Sequence, residues 1–202
     1  MRRTSSNSLN IDGEKLLRLA RSAIEQYLRE GKTPHRRAVE PPIKIGAGVF
    51  VTLWLEAPDG KSATPAEKRV LRGCIGHLQS NLPLYEFVPE VAIGAAVRDP
   101  RFPPLSLEEL ESITLEIAVL SPFRQIMDLQ QIRIGEDGLM IEGMGRRGLL
   151  LPKVATRLGW NQAAFFEGVC VKAGLPQNCW PESCELYAFT TVVFDEAASG
   201  QN

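Results

Sequence analysis

Leu71-Arg72-Gly73-Cys74-Ile75-Gly76 sets a guanidinium and a thiol two residues apart, between two glycines. The six residues sit inside Val70 to Gln79, a stretch with the composition of a strand. Glycine packs nothing in a strand and weakens it, so two of them signal close approach by another backbone or a ligand. Arg72 and Cys74 share strand parity and are expected to face the same way. His77 has the opposite parity and reaches Cys74 only through a bulge at Gly76. A cation beside a thiol favours the thiolate, which makes Cys74 a candidate catalytic nucleophile. The alternative is a small buried hydrophobe, as free cysteine often is. A Cys74–His77 couple is not expected, because a base must lie within hydrogen-bond reach of its nucleophile.

Upstream, Gly48 to Ala57 is rich in β-branched and aromatic residues and reads as a buried central strand paired with the first stretch. Asp59-Gly60 marks a turn, and Ser62 to Lys68 reads as a polar excursion too long for a tight hairpin. Leu16, Ala20, Ala23, Ile24, Tyr27 and Leu28 recur at helical spacing, with Asp12 as N-cap and Gly31 as stop. Pro34 to Pro42 reads as a loop. Downstream, Pro83 and Pro89 divide Asn81 to Val97 into two expected short helices. Ser106 and Glu109 have capping-box spacing. Ile113 to Leu120 alternates as a strand, and Gly135-Glu136-Asp137-Gly138 is expected to turn a hairpin. Gly143 to Gly148 reads as a glycine-rich basic loop. Leu149 to Leu158 reads as a helix ending at Gly159, and a further helix runs from its cap Asn161 to Gly174. Glu185 to Phe194 closes the pattern as one strand. Helices and strands are interspersed without a βαβα rhythm, which gives an α+β fold with antiparallel sheets.

The balance of 23 basic and 24 acidic residues, a net charge of -1, weighs against nucleic-acid binding, which normally brings a basic surplus. No apolar run approaches the ~20 residues that span a bilayer. Met1 to Ser8 is basic without the apolar segment of a signal peptide and reads as a polar leader, so a cytoplasmic protein with reduced thiols is expected. Cys74, Cys170, Cys179 and Cys184 fit no paired zinc spacing, and with two histidines in the chain no metal site is expected. No cofactor motif is present, neither G-x-G-x-x-G nor a phosphate-binding loop.

The six opening residues resemble the signature of the AMMECR-one family, named after the AMME-syndrome chromosomal region. Gly48 to Leu53, Asp99-Pro100-Arg101-Phe102-Pro103-Pro104-Leu105, Glu116 to Pro122, Gly148 to Pro152, Val154-Ala155, Trp160 and Lys172 to Leu175 match further blocks of that family. The resemblance implies one domain of two unequal lobes, each with an antiparallel sheet flanked by helices, and a cleft between them. On that pattern the larger lobe takes about 9–79 and 149–196, and the smaller, inserted lobe about 80–148. It also implies that Leu71, Arg72, Gly73, Cys74, Ile75 and Gly76 wall the cleft. Prokaryotic members often occur beside or fused to a Memo-like domain and a radical-SAM protein, which implies a shared pathway. The expected function is binding of a large substrate or partner protein in the cleft. The alternative is an enzyme or enzyme subunit using Cys74 in that modification pathway.

Other residues complete the candidate set. Glu116, on an otherwise apolar strand, either pairs with Arg72 in the cleft or faces water. Asp99 and Arg101 are expected to form a local ion pair that shapes their loop. Arg146 and Arg147 are candidate anion contacts, the alternative being a solvated basic loop. Cys170 falls among Phe165, Phe166 and Val169 and is expected in the core.

Overall fold

The computed structural model describes residues 11–33, 48–56, 69–78, 80 and 82–199. The expected leader at 1–8, the connector at 34–42, the turn at 59–60 and the excursion at 62–68 lie outside the described residues. The fold is α+β, with two antiparallel four-stranded sheets. The chain divides into two compact units, Met1–Ala118 with Val193–Asn202, and Val119–Val192. The second unit is a single stretch of chain flanked in sequence by the two segments of the first.

In the first unit, α1 (Gly13–Glu30) starts where Asp12 accepts the Lys15 N–H at 2.9 Å and stops at Gly31, φ 68°. The sheet has the order β2-β1-β3-β8, with β1 Val49–Glu56, β2 Arg69–His77, β3 Ile113–Leu120 and β8 Thr191–Asp195. α2 is one helix, Leu84–Val97, not two. Pro83 stands at its N-cap, where no N–H is missed. Pro89 lies inside and removes one helical hydrogen bond. Burial of Leu84, Val88, Val91, Ala92, Ile93 and Ala96 carries the helix across that gap. α2 packs on α1, β1 and β2, which is why residues 84–97 belong to this unit. Arg21 ties the unit's ends together: its guanidinium donates to both Glu196 oxygens and to the carbonyls of Leu110 and Ile113.

In the second unit the sheet order is β4-β7-β5-β6, with β4 Arg124–Gln125, β5 Gly138–Gly143, β6 Arg146–Leu150 and β7 Cys184–Phe189. α3 (Pro152–Leu158) and α4 (Gln162–Ala173) end at Gly159 and Gly174, both at positive φ. Phe165, Val169 and Cys170 of α4 share one core with Leu139, Ile141, Leu186 and Ala188 of the sheet, which holds residues 149–189 in this unit. The Gly135–Gly138 stretch does not turn a hairpin. Asp137 is buried there, its carboxylate accepting the Arg133 N–H at 2.9 Å and pairing with Arg133 and Arg124, so the chain folds around that group. The hairpin lies instead between β5 and β6, where Met144 (φ 52°) and Gly145 (φ 72°) form the turn. The expected closing strand is two strands in two sheets. It breaks at Thr190, whose backbone exchanges hydrogen bonds with Ser121.

Candidate functional site

β1 and β2 pair antiparallel with Phe50↔Gly76, Thr52↔Cys74 and Leu53↔Gly73, after which the register jumps to Trp54↔Leu71. Arg72 is the residue left over, a β-bulge. The bulge sits at Arg72 and not at Gly76, and it takes Arg72 out of the strand alternation that would set it beside Cys74. The Arg72 guanidinium is buried and forks onto Glu109, Nε to Oε1 and Nη2 to Oε2 both at 2.9 Å, while Nη1 donates to the Pro103 carbonyl at 3.0 Å. Its carboxylate partner is therefore Glu109 and not Glu116. Glu109 also keeps the expected capping box, accepting the Ser106 N–H at 3.0 Å and donating its own N–H to Ser106 Oγ at 3.2 Å. The Arg72 guanidinium holds the Glu109 carboxyl below its usual range. Lysine cannot reproduce a fork with a third donor, so Arg72→Lys is expected to cost about 2 kcal/mol in urea unfolding. A change under about 0.5 kcal/mol, the scale of an ordinary surface substitution, would show the fork to be dispensable.

Both glycines of the motif answer to neighbours within the protein. A Cβ on Gly73 would stand 2.3 Å from the Ala95 carbonyl oxygen of α2, and one on Gly76 would stand 2.1 Å from the Phe50 ring. Ile75 lies under Gly94 of α2, and His77 meets the Phe87 ring edge-on at 5.5 Å. Gly73, Ile75 and His77 thus face α2, and Phe50, Thr52, Cys74 and Gly76 occupy the opposite face. His77 and Cys74 are on opposite faces, as parity requires.

β2 is an edge strand, and the Asp99 loop covers that edge. The Cys74 N–H donates to Asp99 Oδ2 at 2.8 Å, and the Cys74 carbonyl accepts from Arg101 Nη2 at 3.2 Å. Asp99 and Arg101 form the expected ion pair, Oδ2 to Nη2 at 2.6 Å, and Oδ1 accepts the Arg101 N–H at 3.1 Å. The Arg101 donors, with the Cys74 N–H adding, hold the Asp99 carboxyl far below the usual carboxylate range against the opposing effect of burial.

The Cys74 side chain is half-buried, and Thr52 Oγ1 lies 3.4 Å from its Sγ in donating position. Thr52 was absent from the sequence candidates. Its signal was a lone hydroxyl amid the apolar Val49 to Leu55. Glu116 alternates on β3 with the fully buried Leu115 and Ile117 and is half-buried. Arg146 and Arg147 start β6 and are held by the protein itself. Arg147 Nε donates to Glu142 at 2.7 Å, and Arg146 donates to the Gly174 carbonyl at the end of α4. They line an open cavity of about 730 Å³ that also carries Glu142, Glu182 and Glu185, so the pair is charge-compensated rather than a bare anion clamp. Among the described residues no group of three His, Cys, Asp or Glu is placed to hold a metal, and no helix is long and apolar enough to cross a membrane.

Known proteins match this chain along nearly its whole length. Protein PF1979 of Pyrococcus furiosus is 43% identical, covering 91% of this chain and 88% of the relative. Protein MK0488 of Methanopyrus kandleri is 40% identical, covering 92% and 88%. The crystal structure of the uncharacterised protein PH0010 from Pyrococcus horikoshii superposes with a TM-score of 0.78 at 41% identity, covering 91% of each chain. The AMMECR1 family pattern matches residues 17–194. With that extent of match and the β2 motif in place, the chain belongs to the AMMECR1 family.

Proposed function

We propose that this protein is a binding module whose recognition surface is the face of the first sheet bearing Phe50, Thr52, Trp54, Leu71 and Cys74, with Glu116 at its margin. One observation supports this above the others. Arg72, both glycines and the Cys74 backbone are all engaged in holding β2, whereas the Cys74 thiol is left half-exposed among half-buried apolar side chains. Apolar and aromatic anchors with a few polar groups suit a protein or other bulky partner. The family resemblance points to Memo-like and radical-SAM proteins as partners. Affinity for a purified Memo-like protein, measured by calorimetry, should fall at least about tenfold in Leu71→Glu and Glu116→Lys, or about 1.4 kcal/mol. Thermal midpoints recorded in parallel separate this from unfolding. Wild-type affinity in both variants would refute the surface.

The Thr52–Cys74 contact favours a second reading, an enzyme subunit using Cys74. A hydroxyl that donates to sulfur orients the thiol but takes no proton from it, and the His77 imidazole is on the other face. Cys74→Ala separates the readings. A binding module loses only part of its partner affinity in this variant, and a catalytic thiol loses all turnover.

A further inference from the structure

Three of the four cysteines meet in the second unit. Cys170 of α4, Cys179, and Cys184 at the start of β7 are all buried in one core cluster, and all are free thiols. The segment between the last two doubles back, with the Ser183 N–H donating to the Cys179 carbonyl at 2.7 Å. That turn links Cys179 to Cys184 across five residues, and both side chains are buried in the same core cluster. Cys184 Sγ also sits over Gly143, where a Cβ would stand 2.7 Å from it. Gly143 and Cys184 both line the 730 Å³ cavity between the β5–β6 turn and Pro181 to Glu185. Cys184 is therefore the member of the pair that borders this cavity. Burial, with the Cys179 thiol beside it, pushes the Cys184 thiol up to about 12, and burial pushes Cys170 up to about 11. Both shifts favour the protonated thiol, which protects Cys184 and Cys170 from casual reaction and makes exchange at Cys184 slow.

We propose that Cys179 and Cys184 are a dithiol–disulfide pair, oxidised by a small-molecule disulfide that enters this cavity. The Cys184 thiol loses its proton to solvent, and the thiolate attacks one sulfur of the small disulfide, expelling a thiolate. Cys179, after losing its own proton, then attacks Cys184 Sγ and displaces the second small thiolate. One S–S bond is formed in the protein and one is broken in the reagent. Two protein thiols are oxidised, and the reagent is reduced to two thiols that take up the two protons. The new bond would fasten Pro181 to Ser183, the outer wall of the cavity, to the head of β7. Cys170 is left reduced.

The test uses the full chain in a Cys74→Ser background, incubated at pH 8 with oxidised glutathione, quenched with a maleimide, and mapped by mass spectrometry. The expected product lacks two hydrogens and carries a Cys179–Cys184 cross-linked peptide, with Cys170 alkylated after denaturation. Cys179→Ser should stop at a glutathione adduct on Cys184. Circular dichroism confirms that each variant is folded. Recovery of all three thiols free, or a cross-link to Cys170, or a disulfide that forms only in urea, would overturn the proposal.

Discussion

Gly73→Ala is expected to destabilise the protein by about 3 kcal/mol or more, the upper range for overpacking a tight contact. The added methyl would lie 2.3 Å from the Ala95 carbonyl oxygen, a backbone atom inside α2, so β2 or α2 must move as a whole. For a chain of this size such a loss lowers the thermal midpoint by roughly 6–12 °C. Gly76→Ala is the informative comparison. Its methyl meets the Phe50 ring, the end of a rotatable side chain, and Phe50→Leu should recover part of the loss. Urea unfolding of the two single variants and the rescue pair checks both statements. A cost for Gly73→Ala below about 1 kcal/mol, or equal costs at the two glycines, would contradict the backbone contact.

Asp99→Ala carries the second large expectation, also about 3 kcal/mol, because it strips a buried carboxylate from several donors at once. The Cys74 N–H and the Arg101 guanidinium would both lose their acceptor, and the edge of β2 its cover. The pH dependence has a definite sign. The folded-state pKa of Asp99 is depressed, so its stabilisation is complete above the unfolded value near ~4 and is lost as pH falls through the folded value. The stability gap between wild type and Asp99→Ala should therefore be constant from neutral pH down to about 5 and narrow in more acid solution. A gap that widens on acidification would show that Asp99 is not held as the carboxylate.

Local chemistry was legible from the chain. Asp12, Gly31, Asn161, Gly159 and Gly174 cap the helices they were expected to cap, because a cap depends on a few neighbouring residues and their φ angles. The Ser106–Glu109 box formed for the same reason. What was not legible depends on residues far apart. The spacing of Arg72 and Cys74 implied a shared face, but register is decided by the partner strand, and the bulge appears only once β1 is laid beside β2. The glycines announced close approach correctly, yet nothing local could say that α2 and Phe50 are what approaches. Gly135 to Gly138 had hairpin composition. Asp137 turned that stretch into an anchor by gathering Arg124 and Arg133. Pro89 broke a helix on paper that burial of its neighbours keeps whole.

The split of the last strand bears on the order of synthesis. β8 and the turn Glu196–Ser199 complete the first sheet: Phe194 closes over Gly13, Asp195 pairs with Arg69, and Glu196 takes the Arg21 guanidinium and the Leu115 N–H. All of these residues leave the ribosome after the whole of Val119–Val192. The last strand of the second sheet, β7, is thus synthesised before β3 of the first receives its outer neighbour. The unit that begins first in the sequence is the one whose sheet is supplied last.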